Sequence, residues 1–226
     1  MIAIADDLDP VAKPAAGLLS QSVRAPLKRA IDIAVSLGFV AVLAVVLPVL
    51  ATALWLCHGV DPFYGHERVG RGGRRFRCWK LRTMAPDADA RLAALLATSP
   101  AAAREWAETR KLRTDPRILG RIGRFLRRSS LDELPQFWNV LAGDMSLVGP
   151  RPVVSDELGH YGAHVDWYLA VRPGLTGPWQ VGGRSEASYA SRVRLDVGYA
   201  RGPSLRRDAA ILVRTLAVPF EQRGAC

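Results

Sequence analysis

Lysine is nearly missing from this chain. Of 31 basic residues only Lys13, Lys28, Lys80 and Lys111 are lysines, so arginine carries the formal net charge of +10. The arginine fork grips phosphate at two points, where lysine offers a single point charge. The natural partners are therefore phosphates: nucleic acid, anionic headgroups or a phosphorylated substrate. Cysteine is scarce too. Cys57, Cys78 and Cys226 are odd in number and form no C-x-x-C spacing. That argues against a disulfide framework and a cysteine zinc site, and fits a reducing, cytosolic setting for the polar part. No internal repeat is present, and no low-complexity tract beyond an enrichment in alanine. The 226 residues suit one domain with its own core, at most with an appendage.

Charge is absent altogether from residues 33–57, "IAVSLGFVAVLAVVLPVLATALWLC". At about 1.5 Å per residue, a straight helix of that length would reach across a hydrocarbon core of about 30 Å. Ala51-Thr52-Ala53 imitates a signal-cleavage site, but the charged stretch before the run is long and the run exceeds a usual signal core. Pro48 offers another geometry. It removes a backbone hydrogen bond and crowds the preceding turn, so a helix could enter, bend there and leave by the same face. Lys13, Arg24, Lys28 and Arg29 precede the run; Arg68, Arg71, Arg74, Arg75 and Arg77 follow it. A spanning helix shows one positive side, and here both flanks are basic. On the residues alone, spanning and re-entrant readings stand level. The residues before Arg24 carry two prolines and no sustained period, and are expected to form a loose tail.

In the polar part, "FYGHERVGRGGRRFRCWKLRTM" (residues 63–84) reads as two arginine-rich strands around Arg71-Gly72-Gly73-Arg74. It is either an edge protected by charge or a cationic platform under a phosphate. "DADARLAALL" and "AAAREWAETRKL" read as helices split at Ser99-Pro100. "RILGRIGRFLRR" places Ile118, Leu119, Ile122, Phe125 and Leu126 on one face and Arg117, Arg121, Arg124 and Arg128 on the other, the pattern of a surface helix packed on a core or, beside a membrane segment and favoured here, of a helix in the membrane interface. "SEASYASRVRLDVGYAR" and "SLRRDAAILVRTLAVPFEQR" read as helices, the second with Leu205, Ile211, Leu212, Thr215 and Leu216 roughly on one side. "VGPRP" and "VRPGLTGPWQVGGR" read as structured loops. Their Arg151, Arg172 and Arg184 stand beside glycines that would let a phosphate approach the backbone.

Two adjacent acids, Asp132 and Glu133, sit in "RRSSLDELPQFWNV" (residues 127–140). Ser130-x-x-Glu133 and Ser129-x-x-Asp132 both match a capping box, which would make the acids structural. Pro135 weakens that reading, because proline is tolerated only in the first helical positions. A helix starting near Asp132 registers the Ser130 box poorly and sets Asp132 at the positive end of the dipole. A carboxylate held ionised there, with Arg127 and Arg128 nearby, is a usable nucleophile or metal ligand. Glu133 could hold Mg²⁺ while substrate phosphates complete its octahedron.

"KRAIDI", the apolar run with its proline, "KLRTM", "SSLDELPQFWNVLAGDMSLVGPRP", "VRPGLTGPWQVGGR" and "RLDVGYA" follow one another in an order that resembles the bacterial sugar transferases. These are monotopic polyprenyl-phosphate phosphoglycosyltransferases, and the ending "RGAC" resembles their hexose-1-phosphate type. The resemblance implies an α+β, mostly helical fold with a re-entrant membrane helix bent at Pro48, a small hairpin and interfacial helices around the site. Leu47 stands where the family often has a small hydroxyl residue. The family pattern makes Asp132 the nucleophile and Glu133 the Mg²⁺ ligand, with Asp132 able to share the metal. It puts Arg127, Arg151, Arg172, Arg184, Lys80 and Arg82 on substrate phosphates, and Asp196 and Asp144 as supporting acids. The implied reaction is ping-pong: Asp132 takes a phosphosugar from a UDP-sugar, releasing UMP, and passes it to polyprenyl phosphate.

The organisation expected from this is a tail over residues 1–26, a membrane helix over 27–60 and a catalytic domain over 61–226. That domain would lie on the cytoplasmic face of a bacterial inner membrane, among its lipids, with homodimerisation left open. The rival reading is a membrane-tethered basic protein that binds nucleic acid, or a scaffold in which the acids only cap a helix. It calls for base-stacking aromatics among the arginines. Trp55 lies in the apolar run and only Trp79 is flanked by basic residues, so nucleic acid is not expected as a partner.

Overall fold

The structure, a computed structural model, describes residues 24–109, 112, 114–182 and 188–217. The expected tail before Arg24, Arg184 and the "RGAC" ending lie outside the described residues. Helix α1 (Arg24–His58) stays helical through Pro48. Among the described residues it is the one helix long and apolar enough to cross a membrane. The chain folds as two compact units. Described residues 44–64 and 80–135 belong to one, and residues 24–43, 65–79 and 136–217 to the other.

Strands β1 (Phe63–Val69) and β2 (Arg75–Leu81) pair as the expected hairpin. Between them a 3-10 turn, Arg71–Gly73, carries Gly72 at φ 68° and Gly73 at φ 80°. These are left-handed conformations that glycine adopts without strain, which explains the doublet.

In the unit built on residues 44–64 and 80–135, helices α2 (Ala88–Thr98) and α3 (Pro100–Thr109) part at Ser99, as the Ser-Pro pair predicts. Helix α4 (Gly120–Arg128) crosses close to the strand end: a Cβ on Gly123 would lie 2.9 Å from the Thr83 carbonyl oxygen. Here the expected apolar face needs correction. Leu119 and Leu126 are buried and Ile122 packs inward, but Phe125 is 59% exposed beside Arg121, Arg124 and Arg128. Gly123, not Phe125, takes the inner position against Thr83. The core of this unit is Leu54, Leu81 and Leu126, with Leu47, Leu50, Ile122 and Leu131 packed on it.

The other unit contains α5 (Gln136–Ala142), β3 (Ser146–Val148), a 3-10 stretch at Ser155–His164, α6 (Val165–Ala170), β4 (Gly174–Thr176), α7 (Pro178–Gly182), α8 (Tyr189–Arg201) and α9 (Leu205–Ala217). Val69, Val153, Tyr161, Trp167, Tyr168, Val193, Val197 and Ala200 form its core. The Tyr168 hydroxyl donates to the Val69 carbonyl at 2.7 Å and accepts the Val153 N–H at 3.1 Å, fastening the hairpin strand to this core.

The two stretches expected to be loops are partly regular. β3 and β4 pair in parallel, Ser146 with Gly174 and Val148 with Thr176. A Cβ on Gly174 or Gly177 would overlap the backbone of Gly149. The glycines of "VGPRP" and "RPGLTG" thus bring two backbones together, an approach that punctuation alone did not reveal. On α9, Ile211 is buried as expected, but Leu216 is 74% exposed and the buried position falls to Asp208. Asp208 accepts from Lys28 at 2.8 Å and from the Tyr199 hydroxyl at 2.7 Å, so α9 is fixed by polar bonds as well as packing.

Candidate active site

Asp132 and Glu133 lie on a 3-10 turn, Leu131–Glu133, entered through Ser130 at φ 58°. Ser130 is the one described residue other than glycine with positive φ, a conformation that persists only where the surroundings impose it. Leu131 supplies that hold by packing on the Leu54, Leu81 and Leu126 cluster. Neither capping box forms. The Ser129 hydroxyl donates back to the Phe125 and Leu126 carbonyls of α4, and Ser130 makes no side-chain cap bond. Neither serine side chain caps the turn that carries the two acids.

Lys80, at the end of β2, places Nζ 2.6 Å from Glu133 Oε1, with both side chains largely shielded from water. The Asp132 carboxyl is pushed up to about 6, first by burial and then by the negative charge of Glu133; Lys80 and Arg127 pull it back. This corrects the sequence expectation. The α-helix proper starts at Gln136, behind Pro135, so no helix dipole dominates at Asp132. Burial beside a second carboxylate outweighs the flanking cations. At neutral pH a carboxyl raised to about 6 remains mostly ionised, which suits a nucleophile. Arg82 is engaged elsewhere: Nε and one Nη donate to the Asp61 and Phe63 carbonyls at 2.7 and 3.2 Å, and its guanidinium lies over the Tyr64 ring.

The remaining residues singled out from the sequence belong to the other unit. Arg151 lies over the Trp179 ring at 5.6 Å, and Arg192 lies over the same ring at 5.1 Å while donating to the Arg151 carbonyl. Asp196 is fully buried, accepts the Tyr161 hydroxyl at 2.7 Å and stands 3.7 Å from Arg192 Nε. Burial raises its carboxyl to about 6, against the pull of the Tyr161 hydrogen bond and of Arg192 and Arg151. Glu157 adds a second acid 3.9 Å from both Arg68 and Arg192. Asp196 therefore supports the "GPRP" segment through Arg192 and does not face outward. Arg172 donates Nε to the Gly143 carbonyl at 2.8 Å, and Asp144 pairs with Arg74 at 3.0 Å.

A family model described as bacterial sugar transferase matches residues 23–222. The chain belongs to the bacterial sugar transferases. It is 47% identical over 201 residues to the UDP-galactose-lipid carrier transferase of Erwinia amylovora, covering 88% of this chain and 41% of that protein. Against the undecaprenyl-phosphate galactose phosphotransferase of Salmonella typhimurium it is 46% identical over 202 residues, again covering 88% and 41%. Against the exopolysaccharide production protein ExoY of Sinorhizobium fredii it is 42% identical over 198 residues, covering 88% and 87%. The chain thus spans about two fifths of the length of the first two relatives.

Within this sugar transferase, Arg192, Trp179, Tyr161 and Glu157 were missed in the sequence. Arg192 left one signal, its i,i+4 spacing to Asp196, which sets both on one helix face. Among the described residues no three His, Cys, Asp or Glu side chains gather at one place. Mg²⁺ does not need three: one or two carboxylates suffice when phosphates and water fill the other positions. Asp132 and Glu133 fit that demand, and the repulsion that raises Asp132 is of the kind a divalent cation relieves.

Proposed function

We propose that this chain transfers a sugar 1-phosphate from a UDP-sugar to polyprenyl phosphate, releasing UMP, as the first membrane step of exopolysaccharide, capsule or O-antigen synthesis. The observation that carries this reading is the strained turn holding Asp132 and Glu133 beside Lys80, in a chain of this family. An Asp132 oxygen attacks the β-phosphorus of the donor. The new Asp–phosphorus bond replaces the bond from that phosphorus to the bridging oxygen, which leaves with UMP. An oxygen of polyprenyl phosphate then attacks the same phosphorus, the aspartyl bond breaks, and polyprenyl diphosphosugar departs with the carboxylate restored. Lys80 holds Glu133 and offsets charge at the dyad, and Arg127 adds positive charge beside Asp132. Mg²⁺, held by Glu133 with Asp132, would neutralise the diphosphate of the donor.

Both ends of α1 lie on the cytoplasmic side of the inner membrane in this reading. Leu47 and Leu50, on either side of Pro48, pack with Leu81 and Leu126. Their elements also carry Lys80, Arg121, Arg124 and Arg128, which are costly inside or beyond a hydrocarbon core. A bend at Pro48 removes that conflict. The sugar is a hexose, with galactose favoured by the names of two relatives.

The test is incubation of the purified chain with Mg²⁺ and UDP-galactose, UDP-glucose or an N-acetylated UDP-sugar, without acceptor. UMP release and a phosphohexose adduct by intact mass are expected with a hexose donor, and EDTA abolishes both. An adduct that still forms in Asp132→Asn would overturn the assignment.

A further inference from the structure

The charge-free run begins at Ile33, yet α1 turns an uncharged side outward earlier. Every exposed residue among 26–42 is apolar, with Leu27, Ile31, Ile33, Leu37 and Phe39 the largest. The polar residues of this stretch all turn into the protein. Lys28 donates to Asp208 at 2.8 Å and to the Val148 carbonyl at 3.1 Å. Arg29 donates to the Val140 and Leu141 carbonyls at 2.6 and 3.0 Å, at the end of α5. Asp32 accepts the Leu147 N–H at 3.1 Å, and Ser36 is buried. A helix meeting water as far as Ile33 would be expected to show it a polar side chain, and this one shows none. From Leu27 to Ile33 is about 9 Å along a helix axis, close to the thickness of one headgroup layer, roughly 5–8 Å.

Helix α5 lies along the same part of α1. Arg29 grips its last carbonyls, while the Phe137 ring at its start stacks on Phe39 at 4.6 Å and 9°. Arg29 and Phe39 are ten residues apart, so α5 runs antiparallel to α1, with its Phe137 end toward the middle of the apolar run. Trp138 follows Phe137 and is 60% exposed, although Phe137, Asn139 and Val140 are all buried. An indole left outside between buried neighbours loses packing in water. In a headgroup layer, with one end apolar and one end wet, it is favoured.

We propose that the lipid-contacting surface of this chain begins at Leu27 and includes Trp138, so that α5, the helix that follows the Asp132-Glu133 turn, lies in the headgroup layer. The occupant of this face is the phospholipid bilayer, because the exposed side of α1 runs without a polar residue from Leu27 into the charge-free stretch, and α5 is packed on that same stretch through Phe137 and Arg29. The inference rests on the reading of α1 as a membrane helix.

The test uses the whole chain in liposomes, with Cys57 and Cys226 replaced by Ala and the buried Cys78 retained. Bimane is attached at Leu27→Cys, Trp138→Cys, Val42→Cys or Glu67→Cys in turn. Expected are quenching at Leu27 and Trp138 by lipids spin-labelled near the headgroup, quenching at Val42 by deep labels, and quenching at Glu67 by aqueous iodide alone. If Leu27 and Trp138 follow Glu67 while Val42 stays lipid-quenched, this proposal falls and the membrane helix stands. If Val42 also answers only to iodide, both fall. A blue-shifted bimane at Trp138 quenched from neither side would assign the face to a second copy of the chain and overturn the proposal. Should Trp138→Cys aggregate, bimane at Ala142→Cys, an exposed position one turn further along α5, takes its place with the same expected and overturning results.

Discussion

Lys80 Nζ and Glu133 Oε1 lie 2.6 Å apart, so this cation is bonded to one acid of the dyad and acts on the other, Asp132, through its charge. Removing it would leave two adjacent carboxylates repelling one another. Lys80→Met is expected to lower UMP release about 100-fold, the scale for losing one preorganised donor, beyond what any loss of folded protein explains. Lys80→Arg keeps the charge and should recover a large part of the rate. Equal losses in the two variants would show that the charge is not what matters.

Gly177 and Gly198 give opposite forecasts for one chemical change. A Cβ on Gly177 meets the Gly149 backbone, whereas one on Gly198, within α8, meets nothing within 4 Å. Gly177→Ala should cost about 3 kcal/mol or more, since backbone cannot move aside as a side chain can. Gly198→Ala should stabilise by up to about 1 kcal/mol, the helix-propensity difference. Denaturant midpoints of the purified chain in detergent measure both.

What the sequence disclosed was local. The hairpin followed from its glycine doublet, the break between α2 and α3 from Ser99-Pro100, and the acids from their own adjacency. What it concealed depended on distant partners. Asp132 is set by burial and by Lys80, 52 positions away, and not by the start of its own helix. The Gly149 crossing joins two segments that read as separate structured loops able to cradle phosphate. Phe125 left its expected face because a glycine two residues earlier fits against Thr83. Trp179, between Arg151 and Arg192, has no local pattern that would single it out.

Leu131 ties the dyad turn to the Leu54, Leu81 and Leu126 cluster, and Ser130 can hold its left-handed conformation only while that tie persists. Leu131→Ala should cost about 2 kcal/mol by loss of apolar packing. It should also lower kcat by more than the folded fraction explains, because the acids lose their support. Leu131→Met, of similar volume, should restore most of both. A kcat loss that only tracks the folded fraction would reduce Leu131 to ordinary packing.

Asp196 gives a pH dependence whose sign is fixed by burial. Its carboxyl is raised to about 6 in the folded chain from an ordinary value of 3.8. Between these values the folded state binds more protons than the unfolded one, so stability falls as pH rises through that window. The contribution is fully present below about pH 4 and lost above about pH 6, a swing on the order of 3 kcal/mol. Asp196→Asn can still accept from Tyr161 and does not titrate, so its stability should stay flatter across pH 4–6. It should therefore equal or exceed the parent chain near pH 7, where the parent must bury a charge only 3.7 Å from Arg192. Chemical denaturation followed across pH 4–7 compares the two slopes. A steeper fall for Asp196→Asn than for the parent would mean that the ion pair with Arg192 outweighs the burial cost.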